Sequence, residues 1–535
     1  MANNNNRLRL HPAAVLALLL FASGGAAVTF ISDRDEEVPA DSEQWSAWET
    51  VDDIIATSLL GDSVQVVHLH DEAIELHRGV AAFYEARNFS PAWREPAVRD
   101  TLTHALRDLW TVGLDPDRYF ATTLTDMARN TMPNLEGADT TLAELDLLLT
   151  HAAFTLADDV SRPQVDVADL YGSRWFAHER PHDVAGELQA ALSSSATADS
   201  VAVAMERLHP THPDFLALRA AYIRHREMLE MEDWPIILPG RTLVPGDTSA
   251  LVPTLRYRMS LEGFFLPEPD STEQNVYNDA LVAAVVAFQE SKDLEADSTV
   301  GQPTRAALNM RPEDQSALFR LNLERWRWLP EDFGDFHVIT NIPAFELAVR
   351  KRDGDGFAEL LRMSTVVGKH NWETPVFSDT MTQVIFNPTW TIPRSIQMES
   401  YGEYRGLVVQ QPGPSNPMRR VKFRFPNDLG IYIHDTNSQW PFGQERRAYS
   451  HGCIRAAAPQ ELAETILAET NAWIPEQVGD IFGGPWIQQP VEMEAPVPVH
   501  IVYFTAWVNP DGHLSLYDDV YGYDRSLAAA MGIAL

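Results

Sequence analysis

Two scarcities bound the reading. The 535 residues include one cysteine, Cys453. No internal disulfide can form, and structural zinc sites built from several cysteines are excluded. Basic residues are the second scarcity: 41 Lys and Arg stand against 76 Asp and Glu, a net charge of -35. Nucleic-acid binding needs a basic face, so that class is set aside, as is simple binding to an anionic membrane. The chain shows no internal repeat. What is plentiful is apolar: hydrophobic residues make up 45% of the chain, enough for packed cores. The length suggests roughly two to four domains.

Arg7 and Arg9 precede an uncharged apolar run from Ala13 to Ile31, and Gly24, Gly25, Ala26 and Ala27 offer a cleavage site after Ala27. The run is also close to the ~20 residues needed to span a bilayer. Residues 1–32 therefore read as a signal peptide or a membrane anchor, and either places the rest outside the cytoplasm. Residues 33–50 read as an acidic, polar linker. Residues 51–241 carry apolar residues at helical spacing, as in Leu102, Leu106 and Leu109 or Leu142, Leu145 and Leu149. His68 and His70 in this stretch read as a solvated pair. Residues 242–310 form a small module with helices around 251–259 and 277–291, and residues 311–334 form a connecting helix. From 335 to 496 the pattern changes to short strands rich in β-branched and aromatic residues. Residues 497–535 form a C-terminal extension. The expected fold class is multidomain α+β: a mainly helical region, a small helical module and a mainly β domain.

The chemistry lies in Ile431-Tyr-Ile-His-Asp-Thr436 and Ser450-His-Gly-Cys-Ile-Arg455. A thiol becomes a useful nucleophile when its thiolate is stabilised or a base lies beside it. Alternate side chains of a strand share a face. Ile431 and Ile433 would point to the core, leaving Tyr432 and His434 facing a cleft. The chain then returns to Cys453 after a loop. Cys453 is the expected nucleophile and His434 its base; His451 is the rival base, better suited to shaping the pocket. Gly452 permits a tight path before the nucleophile, and the amides of Gly452 and Cys453 are the expected oxyanion donors. The window 415–460 is basic inside this acidic chain. It holds Arg419, Arg420, Lys422, Arg424, Arg446, Arg447 and Arg455 against three acids, a formal +4. Arg446 and Arg447 are expected to help draw anionic substrate to the cleft.

The Ser-His-Gly-Cys-Ile-Arg segment with His-Asp upstream resembles the L,D-transpeptidases of the YkuD type. Asn387-Pro-Thr-Trp-Thr-Ile-Pro393, Pro412-Gly-Pro-Ser-Asn416, Val421-Lys-Phe-Arg-Phe-Pro-Asn427 and Asn322-Leu-Glu-Arg-Trp-Arg327 look like the large periplasmic, YcbB-like branch. So does Pro498-Val-His-Ile-Val-Tyr-Phe-Thr-Ala506. Phe89-Ser-Pro-Ala-Trp93 is similar to that branch's scaffold domain, and residues 242–310 to a peptidoglycan-binding domain. Two stretches depart from the pattern. The link between Ile396 and Gln411 is short, and Pro417-Met-Arg-Arg420 replaces a small glycine-containing turn.

The resemblance implies a periplasmic acyltransferase working on peptidoglycan tetrapeptide stems, as donor and as acceptor. It would form 3-3 cross-links through a thioester on Cys453, with no cofactor and no metal. His434 carries over as base, and Tyr432, Trp390, Ser450, His451 and Arg455 as pocket residues beside Gly452. Carbapenem-type inhibitors are implied as well. Two alternatives stay open: a carboxypeptidase or endopeptidase that resolves the same thioester with water, and a non-catalytic wall-binding scaffold.

Overall fold

The computed structural model describes residues 42–60, 65–69, 72–131, 138–178, 184–192, 197–229, 235–264, 274–292, 294–510 and 512–535. The expected signal or anchor at 1–32, the first half of the linker and His70 lie outside these residues. Residues Ser42–Leu59 are already helical, so the linker ends before residue 50.

The helical region is organised around Ala138–Ser161, which is apolar on most of its circumference and buried accordingly. Asp146 sits inside that helix. It accepts the Tyr84 hydroxyl at 2.5 Å and the backbone N–H groups of Ala92 and Trp93, both at 2.8 Å. The Trp93 indole donates to Thr150 at 2.9 Å. The Phe89–Trp93 motif is thus a loop pinned by a buried carboxylate, which needs such partners to be tolerated there. The region is not purely helical. Strands β1 (Val66–Leu69) and β2 (Glu72–Glu75) form an antiparallel hairpin, with His68 exposed on it. The run of apolar residues at helical spacing obscured strands this short.

Residues 237–308 have a core of their own, built on Leu243, Val252, Leu255, Tyr277, Leu281, Val285, Phe288 and Leu308. The connecting helix Pro312–Arg327 then ties the regions together. Its Glu324 accepts from Gln164 and from the Trp328 indole and pairs with Arg327 at 2.8 Å. Arg325 pairs with Asp524 at 2.5 Å. These groups are buried, so the Asn322–Arg327 motif is an interdomain knot.

The β domain holds β3 (Phe336–Asn341), β4 (Glu346–Asp353), β5 (Gly356–Gly368), β6 (Phe377–Phe386), β7 (Trp390–Thr391), β8 (Val409–Gln410), β9 (Val421–Arg424), β10 (Ile433–His434), β11 (Ala448–Ser450), β12 (Ile454–Ala456) and β13 (Gln489–Val502). The main sheet runs β11-β5-β12-β10-β9-β6-β13-β3-β4. β4 also pairs with β5, so eight strands close on themselves and β11 branches from the end of β5. The helix Pro459–Asn471 seals the interior with Leu462, Ala463, Ile466 and Leu467.

The expected boundary at 496/497 falls inside β13, which pairs with β6 along most of its length and with β3 near its end. The C-terminal extension therefore begins in the sheet. It continues onto both neighbours: Phe504 and Trp507 join the helical core, while Tyr503, Tyr521 and Leu527 join the β-domain core. In return, Trp175 bridges to Val376, so a segment of the helical region runs along the β domain.

Candidate active site

Strand register decides what faces the cleft. β10 pairs in parallel with β12, matching Ile433 to Ile454 and His434 to Arg455. It pairs antiparallel with β9, matching Ile433 to Phe423 and His434 to Lys422. Ile433, Ile454 and Phe423 are fully buried in the core. By alternation, Tyr432, His434, Lys422 and Arg455 share the opposite face, and Cys453 enters it one residue before β12. A cleft of about 550 Å³ opens there, lined by Cys453, His434, Tyr432, Arg455, Trp390 and Trp372 among others. Ser173 and Arg174 of the helical region complete its wall.

His434 is buried, and among the described residues no carboxylate pairs with it. Its Nδ1 is bonded to the Asp435 main-chain carbonyl, which must accept, so Nδ1 carries the proton and Nε2 holds the free lone pair. Burial first, then the Arg455 and Lys422 charges, lower its pKa to about 3. The ring is neutral at neutral pH. The Asp435 carboxylate is occupied elsewhere, accepting from the N–H groups of Arg420 at 3.0 Å and Thr436 at 2.6 Å.

Cys453 is half-buried. Burial pushes its thiol up, while the Tyr432 main chain and hydroxyl, then Lys422 and Arg455, pull toward the thiolate. Tyr432 is held against this face by Lys422, whose ammonium lies 3.7 Å from the ring centroid. The Tyr432 phenol is itself raised, chiefly by burial.

The turn before Cys453 is heavily braced. Gly452 has φ +105, and a Cβ there would meet Ile431 at 3.1 Å, so glycine is required. Ser450 Oγ donates to the Cys453 carbonyl at 2.6 Å and accepts the Gly452 N–H at 3.1 Å. Ser450 both lines the cleft and clamps the turn. One expectation is corrected. The Gly452 N–H is spent on that clamp, so it is not aimed at an oxyanion. The Cys453 N–H has no partner in the chain among the described residues and stays available.

His451 is set apart from His434. Its Nε2 meets Glu399 at 2.6 Å, and its ring packs edge-on against Trp372. Glu399 belongs to the short helix Arg394–Tyr401 and also holds Lys369 at 3.0 Å. The short link at 396–411 therefore covers the cleft rim through His451. The neighbouring departure has a visible cost: Arg419 sits at φ +46, a left-handed conformation that glycine would adopt freely.

Three supporting residues went unread in the sequence. Thr374 Oγ1 donates to the Gly452 carbonyl at 2.7 Å and accepts the Gly368 N–H at 2.8 Å. The Tyr521 hydroxyl donates to the Gly368 carbonyl at 2.8 Å and accepts the Thr374 N–H at 3.2 Å. The C-terminal extension thus braces the cysteine turn through one intermediary. Lys422 was counted only as part of a basic window, although strand alternation in Val421–Phe425 already put it opposite Phe423. Arg446 and Arg447, expected near the cleft, are absent from its lining.

Residues 335–492 match the family model of the L,D-transpeptidase catalytic domain, and residues 78–221 match a Scaffold domain. A putative L,D-transpeptidase of Haemophilus influenzae is 27% identical over 248 residues, 39% of this chain and 48% of the relative. The chain thus spans about half the length of that curated relative. Among solved structures, an L,D-transpeptidase from Mycobacterium smegmatis is 17% identical with a TM-score of 0.19, covering 31% of this chain and 58% of its own. The L,D-transpeptidase LdtMt1 in complex with imipenem is 18% identical at the same TM-score of 0.19, covering 31% and 59%. The catalytic-domain match begins at the first strand of the closed sheet and takes in Cys453, His434 and most of the cleft wall, so residues 335–492 are an L,D-transpeptidase catalytic domain of the YkuD type, and the Ser173 and Arg174 part of the wall comes from the segment that matches the Scaffold domain.

Proposed function

We propose that the protein is an exported cysteine acyltransferase that forms 3-3 cross-links between peptidoglycan tetrapeptide stems. One observation carries the reading: Cys453 and a neutral, tautomer-fixed His434 share one sheet face at the floor of a single cleft. In the reaction, His434 Nε2 takes the Cys453 proton as the sulfur attacks the carbonyl after the third stem residue. The Cys453 N–H donates to the oxyanion that develops. His434 returns the proton to the departing nitrogen, the terminal D-residue leaves, and a thioester remains. A side-chain amine of a second stem then gives its proton to His434, attacks the thioester and restores the thiol. A carbapenem would acylate the same sulfur by opening its lactam ring. The location outside the cytoplasm rests on the apolar run at 13–31.

The test is incubation of the chain from residue 42 onward with purified tetrapeptide muropeptides, read by mass spectrometry. Cross-linked dimer with release of the terminal residue is expected, and none with Cys453→Ala. Tripeptide without dimer would make the protein a hydrolase. No product at all, with the wild-type thiol intact, would leave only a wall-binding scaffold.

A further inference from the structure

One wall of the cleft comes from outside the β domain. Ser173 and Arg174 of the helical region line it beside Asn371, Trp372 and Glu373. Their backbone is fastened to the β domain. The Val376 N–H donates to the Arg174 carbonyl at 2.8 Å, and the Phe176 N–H donates to the Val376 carbonyl at 2.9 Å. Trp175 between them is buried in the β-domain core and stacks on Tyr171, with ring centroids 5.0 Å apart. The Tyr171 hydroxyl donates to the Tyr523 carbonyl at 2.9 Å. An extended segment sends successive side chains to opposite sides, so with Trp175 in the core Arg174 is sent to the cleft. Its Nε donates to the Tyr171 carbonyl at 3.0 Å, which fixes the direction of the guanidinium.

Charge is sparse in this cleft. Among the described residues that line it, the charged side chains other than the histidines are Arg174, Glu373 and Arg455. Arg455 acts on the Cys453 sulfur. The Arg174 side chain is 47% exposed, while that of Glu373 is 8% exposed. Their nearest charged atoms are 3.8 Å apart, an ion pair too long for a hydrogen bond. The Glu373 carboxylate is shared with the Asn371 N–H at 3.2 Å and the His370 ring at 3.5 Å. A guanidinium carries five N–H donors in a planar fork that matches a carboxylate. With Nε spent on Tyr171 and Glu373 at arm's length, the terminal nitrogens are left to the cleft. The Glu373 main-chain carbonyl lies 3.7 Å from where a Cβ on Gly452 would stand, so the pair borders the cysteine turn. An extended peptide spans about 3.5 Å per residue, so one short stem can reach both Cys453 and Arg174. The departing residue lies over His434, which protonates its nitrogen; Arg174 stands by Trp372 and Glu373 instead, next to Gly452. Resting on the acyl-transfer reading above, we infer that the helical region supplies a specificity residue to this active site: Arg174 binds a carboxylate on the part of the donor stem that stays on Cys453 as the thioester.

The experiment uses the tetrapeptide muropeptide and the same compound with every free carboxyl before the terminal residue amidated and the terminal carboxyl left free. Acylation of Cys453 is followed by intact mass for wild type, Arg174→Gln and Arg174→Lys, each checked for an unchanged melting transition. Wild type should favour the free-acid stem by about fivefold in kcat/KM, the size of a charge-assisted contact to a half-exposed group. Arg174→Gln should raise KM for that stem and bring the ratio near one, while Arg174→Lys should retain most of the preference. Iodoacetamide should label Cys453 at the wild-type rate in both variants. A wild type that treats the two stems alike would overturn the inference, and that comparison needs no variant. So would an Arg174→Gln protein that keeps the preference. Equal losses on both stems with slower iodoacetamide labelling would overturn it as well, since Arg174 would then only brace the turn through Glu373. Acylation by neither stem, while iodoacetamide still labels Cys453, would instead overturn the acyl-transfer reading and the inference with it.

Discussion

Cys453 lies between two basic stretches that use their charge in opposite ways. On the strands, Lys422 and Arg455 flank His434 by register, Arg455 in the cleft wall and Lys422 over the Tyr432 ring. On the loop leading into β11, Arg446 donates to the Val520 carbonyl at 2.9 Å. Arg447 donates to the carbonyls of Gln444 at 3.1 Å and Ala344 at 3.2 Å, with its guanidinium over the Phe345 ring. The loop arginines spend their donors on main chain and fasten the fold; the strand cations act on the site, lowering the His434 pKa and favouring the Cys453 thiolate. A charge count over a window treats both alike. The difference follows from periodicity: a strand dictates which side chains share a face, and a loop does not.

The largest expected effect separates the two histidines on the same principle. His434 belongs to a strand and has its free lone pair in the cleft; His451 belongs to the turn and is tied to Glu399. His434→Ala should slow acylation of Cys453 by about 10²–10⁴-fold, the usual range for a lost general base. His451→Ala, which only releases the rim helix, should cost less than about tenfold. Single-turnover acylation followed by intact mass would settle the order, and the reverse order would make His451 the base. The pH profile sharpens this. Because burial and two cations hold the imidazole pKa near 3, the acid limb of acylation should lie well below the ordinary 6.5. A limb centred near 6.5 would mean that His434 is solvated in solution.

The same burial has a stability consequence. His337 and His434 are lowered to about 3 and His500 to about 4, in each case chiefly by burial. Above pH 6.5 these rings are neutral in folded and unfolded chains alike, so they contribute no pH dependence. Below 6.5 the unfolded rings bind protons that the folded ones refuse, so stability falls as pH falls, until the folded pKa values are reached. Each ring adds a slope of about 1.4 kcal/mol per pH unit within that window. Urea melts at pH 7, 6 and 5 should show a steepening loss; a midpoint unchanged from 7 to 5 would contradict the buried, neutral assignment.

A smaller effect tests the brace behind the cysteine turn. Thr374→Val removes the donor to the Gly452 carbonyl, and Tyr521→Phe removes the donor to Gly368. Each lost hydrogen bond is worth about 1 kcal/mol, or roughly fivefold. The loss should fall on kcat for acylation rather than on KM, because the turn carries the sulfur and not the stem-binding walls. Equal loss in KM, or none in either, would reduce Tyr521 to a packing residue.

What could be read in advance follows the same division. Ile431, Ile433, Phe423 and Phe425 alternate with Tyr432, His434, Lys422 and Arg424, so the cleft face was present in the order of residues along two strands. The local motif around Cys453 named the thiol, and glycine at 452 named the turn. Two kinds of fact were hidden. Where a turn's N–H groups point depends on a serine two residues earlier, so the Gly452 donor looked free when Ser450 holds it. Contacts across long separations were also hidden: Thr374 and Tyr521 reach the turn from 78 and 153 residues away from their partners. Likewise, the boundary expected at 496/497 cuts β13, whose pairing with β6 and β3 joins strands far apart in the sequence.

The smallest effect belongs to the loop arginines. Charge reversal with Arg446→Glu and Arg447→Glu would weaken muropeptide turnover at low salt if these side chains steered substrate. They are not in the cleft wall; Arg446 lines a separate groove with Glu445, Asp518 and Asp519. Charges beyond the Debye length of about 8 Å at physiological ionic strength act weakly on the cleft. The double variant should therefore keep kcat/KM within about twofold of wild type in physiological salt. Its cost should appear in the melting temperature, because the carbonyls of Val520 and Ala344 lose their donors and Arg446→Glu places an acid beside Asp518 and Asp519. Titrating salt distinguishes the outcomes. A kcat/KM deficit of about tenfold or more at low salt, closing as salt rises, would show that the loop does steer substrate. The contrast between strand cations and loop cations would then fail.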